Sequence, residues 1–153
     1  MGNEEKQCVC AIIARYRDVP GPLLPILQGI QEEHGHLSEA AMHQVAASLG
    51  RPPGEVYSVA TFYTLFSTRP RGKYVIRVCE NAPCHIKGAP AVIAELEKAL
   101  DIKAGETTPD GKFSLEFTSC VGICGVAPAI MVNQDVHGNL TPSSIAQVLG
   151  QYR

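Results

Sequence analysis

The chain has 153 residues, 45% of them hydrophobic and 18% charged, with a formal net charge of −2. That is enough apolar material for a domain-sized core and far from the composition of a disordered chain. The near balance of charge leaves no basic footprint for nucleic acid or for an anionic membrane surface, so neither is expected as a partner.

The opening Met-Gly-Asn-Glu-Glu-Lys lacks the basic and then apolar pattern of an export signal, and no apolar run approaches the ~18 residues of a membrane span. The expectation is a cytoplasmic protein without direct membrane insertion. Six cysteines in such a chain point to metal binding or thiol chemistry rather than a disulfide framework.

Residues 1–70 read as a helical subdomain. Val9, Ile12, Ile13 and Tyr16 form one i, i+3, i+4, i+7 stripe, and Leu23, Ile26, Leu27 and Ile30 form another. Pro22 suits the first turn of the second helix and Gly35 its end. Ser38 is the expected N-cap of a third helix that buries Met42, Val45, Ala46 and Leu49 and stops at Gly50. After Pro52 and Pro53 a fourth stripe runs through Val56, Val59, Ala60 and Tyr63, and Phe62 and Phe66 read as added core bulk.

From residue 71 to 153 the pattern becomes α/β. Lys73 to Val78 alternates and is β-branched, a strand that ends on Cys79. Residues 89–100 form a helix with Val92, Leu96 and Leu100 on one face, Pro109-Asp110-Gly111 marks a turn, and Lys112 to Thr118 makes a second strand just ahead of Cys120. A Gly-rich loop, a short strand Ile130 to Val132, a turn region from Asn133 to Asn139 and a final helix from about Pro142 to Tyr152 complete the chain. This order suits a thioredoxin-like α/β arrangement.

Cys79-x4-Cys84 and Cys120-x3-Cys124 supply four soft thiolate donors, which suit an iron–sulfur cluster or a structural zinc. Spacing leaves both open, together with a thiol oxidoreductase. An anionic cluster needs backbone N–H donors near its sulfurs, a role that Gly88, Gly122 and Gly125 suit, while Ala82, Pro83, Val121, Ile123 and Val126 would form a dry collar. Cys8 and Cys10, at i and i+2 on a helix, face different ways and read as free thiols, one buried and one partly exposed. His85 reads as a solvent-facing loop residue, and His34, His36, His43 and His137 show no metal spacing.

Several runs carry a family resemblance: Ala60-Thr61-Phe62-Tyr63, Cys79-Glu-Asn-Ala-Pro-Cys84-His85, Gly105-Glu106-Thr107-Thr108-Pro109-Asp110-Gly111, and Cys120-Val-Gly-Ile-Cys124-Gly-Val-Ala-Pro128. Together they resemble the thioredoxin-like [2Fe–2S] ferredoxins, which include the small iron–sulfur subunit of the NADH-oxidising module of complex I. Close relatives occur in bifurcating hydrogenases and NAD-dependent formate dehydrogenases. The resemblance implies an N-terminal helical subdomain followed by a thioredoxin-like [2Fe–2S] domain with a small mixed sheet. It also implies one [2Fe–2S] cluster held by Cys79, Cys84, Cys120 and Cys124, and Pro128 at the position of a cis proline. By the same resemblance the chain is an electron relay, not a catalyst alone. It would work beside an iron–sulfur flavoprotein subunit that binds FMN and NAD(H) and beside further iron–sulfur, hydrogenase or dehydrogenase subunits. A respiratory parent complex would place it at the inner face of the membrane. The chain itself shows no Gly-x-Gly-x-x-Gly dinucleotide fingerprint.

Overall fold

The computed structural model describes residues 3–152; Met1 and Gly2, at the start of the signal-free N-terminus expected above, lie outside them. Backbone contacts divide the chain into two compact units, Met1–Pro70 and Arg71–Arg153. Among the described residues no helix is long and apolar enough to cross a membrane.

The first unit holds four helices, α1 (Asn3–Tyr16), α2 (Leu23–His34), α3 (Glu39–Leu49) and α4 (Pro53–Phe62). The sequence stripes become its core: Val9, Ile12 and Ile13 of α1 meet Leu23, Ile26, Leu27 and Ile30 of α2, with Met42, Val45 and Ala46 of α3 and Val56 and Ala60 of α4. Ser38 caps α3 by accepting the Ala41 N–H at 3.2 Å, and Gly35 and Gly50 end α2 and α3 in the left-handed conformation.

The aromatic end of α4 departs from expectation. Phe66 packs half-buried on the core, but the helix stops at Phe62, and Tyr63 leaves it with extended backbone. Phe62 is 77% exposed and Tyr63 44%, so neither is core. Past the helix the turn is held by a polar clamp: Gln31 of α2 donates to Leu65 O at 2.7 Å and accepts the Ser67 N–H at 2.6 Å. Backbone bonding thus fixes the turn, and the Phe62 and Tyr63 rings, which pack edge to face, are left at the surface.

The second unit is a four-stranded sheet in the order β2 (Phe113–Thr118), β1 (Tyr74–Cys79), β3 (Ile130–Val132), β4 (Asp135–His137). β1 and β2 are parallel, and the other two pairings are antiparallel. The connection from β1 to β2 carries α5 (Ala82–Ile86) and α6 (Ala89–Leu100), and α7 (Ile145–Leu149) follows the sheet. Ile76 and Val78 of β1, Leu115 of β2, Ile130 and Val132 of β3, Val92 and Leu96 of α6 and Ile145 of α7 form one core. Gly72 must lack a side chain, because a Cβ there would stand 2.8 Å from the Phe113 carbonyl carbon.

Three local expectations are corrected. The Cys79–Cys84 connection contains the one-turn helix α5, whose Pro83 suits a first turn but whose length is too short to show a period. The region expected as a turn from Asn133 to Asn139 contains β4, an edge strand of three residues with too little alternation to be read. The final helix is a 3₁₀ turn at Pro142–Ser144 followed by α7, which ends at Leu149 because the last residues are tied to the sheet. Tyr152 donates to Asp135 Oδ2 at 3.1 Å and packs against the Tyr74 ring. Its single hydroxyl proton is thereby used, so the 2.6 Å contact with His137 requires the imidazole Nε2–H to donate.

Burial, then Asp135, push the Tyr152 phenol up to about 12 from 10.0. A raised pKa means stability fully present below pH 10 and lost as the pH rises towards 12, worth about 2–3 kcal/mol at 1.36 kcal/mol per unit. Tyr152→Phe should lower stability by about 1 kcal/mol at neutral pH through the lost hydrogen bond. Urea unfolding of the variant should also decline less steeply than wild type across that alkaline window; equal slopes would refute the assignment.

Candidate functional site

Parallel pairing sets the site. β1 and β2 run together from Tyr74 opposite Phe113 to Cys79 opposite Thr118, and the Glu80 N–H bond to Thr118 O carries the ladder one residue further. Both strands therefore end at the same edge of the sheet, and Cys120, two residues beyond Thr118, is delivered beside Cys79. α5 then turns the chain back, with the His85 N–H on Asn81 O at 3.0 Å, and carries Cys84 inward. Cys124 opens a 3₁₀ turn, Cys124–Val126, ahead of the cis Ala127–Pro128 bond. The cis bond matches the expectation for Pro128.

All four thiols are free. Cys79 and Cys84 are each 2% exposed and pack with Ala89 and Ala127. Cys120 is exposed and Cys124 half-buried, and their sulfurs stand 3.6 Å apart. Metal–thiolate bonds of about 2.3 Å at a tetrahedral angle would hold two sulfurs about 3.8 Å apart, so this pair fits one metal. Cys79 interacts with Cys84, with Cys120 and with Cys124, joining the two pairs. Among the described residues, no three His, Cys, Asp or Glu side chains gather in a group that would hold a single ion. The four thiols adjoin one another at this edge of the sheet, and four soft thiolate donors fit an iron–sulfur group.

The surroundings separate the thiols electrostatically. Burial pushes the Cys84 thiol up, countered in part by the Ala129 N–H. The Gly122 N–H, 3.4 Å from Cys120 Sγ, pulls the Cys120 thiol down, helped by the Cys124 thiol. Cys124 is pushed up, first by its contact with Cys120. The dry collar is only partial: Ala82, Pro83 and Val126 are exposed, while Val121 and Ile123 are half-buried. The closer walls are Ala89 and Ala127, which the sequence did not mark because alanine carries no chemical signal. A hollow of about 420 Å³ opens beside Cys79, lined by Glu80, His85, Ala89, Ile93 and Phe117. His85 faces solvent as expected, though from α5 and not from a loop.

Cys8 and Cys10 belong to α1. Cys8 is half-buried against the helical core, and Cys10 is exposed with Gln44 Nε2 at 2.9 Å from its sulfur. Both are shallower than the sequence suggested.

Residues 9–153 match the family model described as thioredoxin-like [2Fe-2S] ferredoxin. The chain belongs to that family. Its cofactor is accordingly a [2Fe–2S] cluster. An E-type subunit of the NADH-quinone oxidoreductase of Rhizobium meliloti (strain 1021) is 42% identical over 94% of this chain and 85% of its own length. The E-type subunit of the same enzyme in Escherichia coli (strain K12) is 38% identical over 97% and 90%. NADP-reducing hydrogenase subunit HndA of Solidesulfovibrio fructosivorans is 39% identical over 86% and 77%. The crystal structure of an NAD+-reducing [NiFe]-hydrogenase in the air-oxidised state superposes with a TM-score of 0.75 at 28% identity. That likeness covers 90% of this chain but only 24% of the hydrogenase chain.

In the metal-free ferredoxin, iodoacetamide should modify Cys120 at least about tenfold faster than Cys84 at neutral pH, because thiolate character and access both favour it. Peptide mass mapping over time measures the order, and earlier labelling of Cys84 would contradict the burial described.

Proposed function

We propose that the chain is a one-electron relay subunit of an NAD(H)-linked oxidoreductase, with Cys79, Cys84, Cys120 and Cys124 as the ligands of its [2Fe–2S] cluster. The gathering of four free thiols at one sheet edge, as two joined pairs, carries the reading. When bound, the cluster takes up and returns single electrons, and no substrate bond changes at this subunit. Cys79 and Cys84, held against Ala89 and Ala127, keep water from one side, while Cys120 presents the other side to the surface.

The names of the relatives support a parent complex of the NADH-quinone oxidoreductase or hydrogenase type. The partner is an iron–sulfur flavoprotein subunit that binds FMN and NAD(H), with further iron–sulfur, hydrogenase or dehydrogenase subunits beyond it. An electron-bifurcating hydrogenase or a formate dehydrogenase is an equally suitable parent. The location is cytoplasmic, peripheral at the inner membrane face in a respiratory complex. Residues 1–70 form a helical domain and residues 71–153 the cluster-binding domain.

Anaerobic reconstitution should give two irons and two acid-labile sulfides per chain, a visible thiolate-to-iron absorption and, after reduction, a one-electron EPR signal. Cys84→Ser and Cys120→Ser should each lose most of the iron while the helical unit keeps its circular dichroism. A colourless product with one zinc and no sulfide would overturn the cluster, and full iron retention in Cys84→Ser would overturn the ligand set. Mass spectrometry of anaerobically co-purified subunits identifies the parent complex.

A further inference from the structure

Three glycines offer backbone N–H groups near the cysteines, and the structure separates their roles. Gly88, at φ +104, joins α5 to α6 and donates to His85 O at 3.1 Å. Gly125 lies in the middle of the 3₁₀ turn, outside the left-handed region, with open space where a Cβ would stand. Gly122 is different. At φ +84 it adopts a conformation that L side chains rarely take, yet nothing lies within 4 Å of its absent Cβ. Neighbouring bulk therefore does not require glycine there. The backbone angle does, and that angle accompanies an N–H directed at Cys120 Sγ at 3.4 Å.

We infer that Gly122 is a positioning residue for the [2Fe–2S] group: its left-handed backbone aims an amide at the exposed ligand sulfur and thereby raises the reduction potential. The inference rests on the ligand set proposed above. When bound, the oxidised group would go from two negative charges to three on accepting one electron from the proposed partner's reduced flavin, with no bond formed or broken in the protein. Cys120 is the ligand at the surface, where water competes for its lone pairs, so a fixed donor there acts on the added charge at constant geometry. Of the buried pair, Cys84 receives its own amide from Ala129, the residue just before β3. Of the exposed pair, Cys120 receives its amide from Gly122 through the glycine conformation.

The test uses the full chain, reconstituted anaerobically, as wild type, Gly122→Ala, Gly122→Asn and Gly125→Ala. Midpoint potential is read by spectroelectrochemistry, and the amide itself by pulsed EPR of the reduced protein labelled with 15N-glycine. Gly122→Ala should keep its iron and sulfide but shift to a lower potential and lose a glycine 15N coupling seen in wild type. Gly122→Asn, whose side chain tolerates the left-handed region, should recover most of the potential. Gly125→Ala should match wild type in potential. A Gly122→Ala protein with full iron and an unshifted potential would overturn the inference, as would an equal shift in Gly125→Ala. If Gly122→Ala fails to take up iron, wild type decides, since absence of a glycine 15N coupling is then the refuting result. Failure of the ligand set itself is distinguishable, because it would show as iron retention in Cys120→Ser.

Discussion

The site depends on one constraint, the parallel register of β1 with β2. Parallel strands carry their C-terminal ends to the same edge, so two cysteines 41 positions apart in sequence, Cys79 and Cys120, meet without any direct turn between them. Antiparallel pairing of the same strands would have put them at opposite ends of the sheet. The crossover that parallel pairing requires is supplied by α5 and α6. That crossover also returns Cys84 to the same edge, so one topological choice places three of the four thiols.

Within the site, burial and charge oppose each other. A dianionic group held by the proposed ligands would be costly to bury, and the thiols themselves sit in an uneven shell. One pair of thiols is sealed against two alanines, small enough to let helix and loop approach, and the other is left at the surface with a backbone amide. Carboxylates are not absent from the neighbourhood, since Glu80 lines the hollow beside Cys79, but it is exposed to water, which screens its charge. The strand pair that carries these loops is braced by Arg71, which precedes β1 and grips Glu116 of β2 through two hydrogen bonds of 2.6 and 3.0 Å.

The helical unit illustrates how polar bonding overrides hydrophobic pattern locally. Its stripes became core almost residue for residue, yet Phe62 and Tyr63 continued the apolar pattern and did not. Gln31 satisfies the backbone on both sides of Phe66, and those two hydrogen bonds define where the chain turns. Phe62 ends the helix on a face turned to solvent, and past it the side-chain clamp from Gln31 sets the path of the chain.

By itself the sequence determined the helices of the first unit and the strands before Cys79 and Cys120, and it singled out the four cysteines that the fold gathers at one edge. Periodicity and capping are local, and they are legible because each signal lies within a few residues of the structure it specifies. It did not determine β4 and α5, which are too short to show a period, nor the early end of the last helix or the surface position of Phe62 and Tyr63, which the packing of the folded chain decides. Tertiary structure alone decided which thiols are buried, which amide meets Cys120, and that Ala89 and Ala127 form the walls. Backbone amides and alanines carry no side-chain signal, so their roles exist only once parallel pairing has brought the loops together.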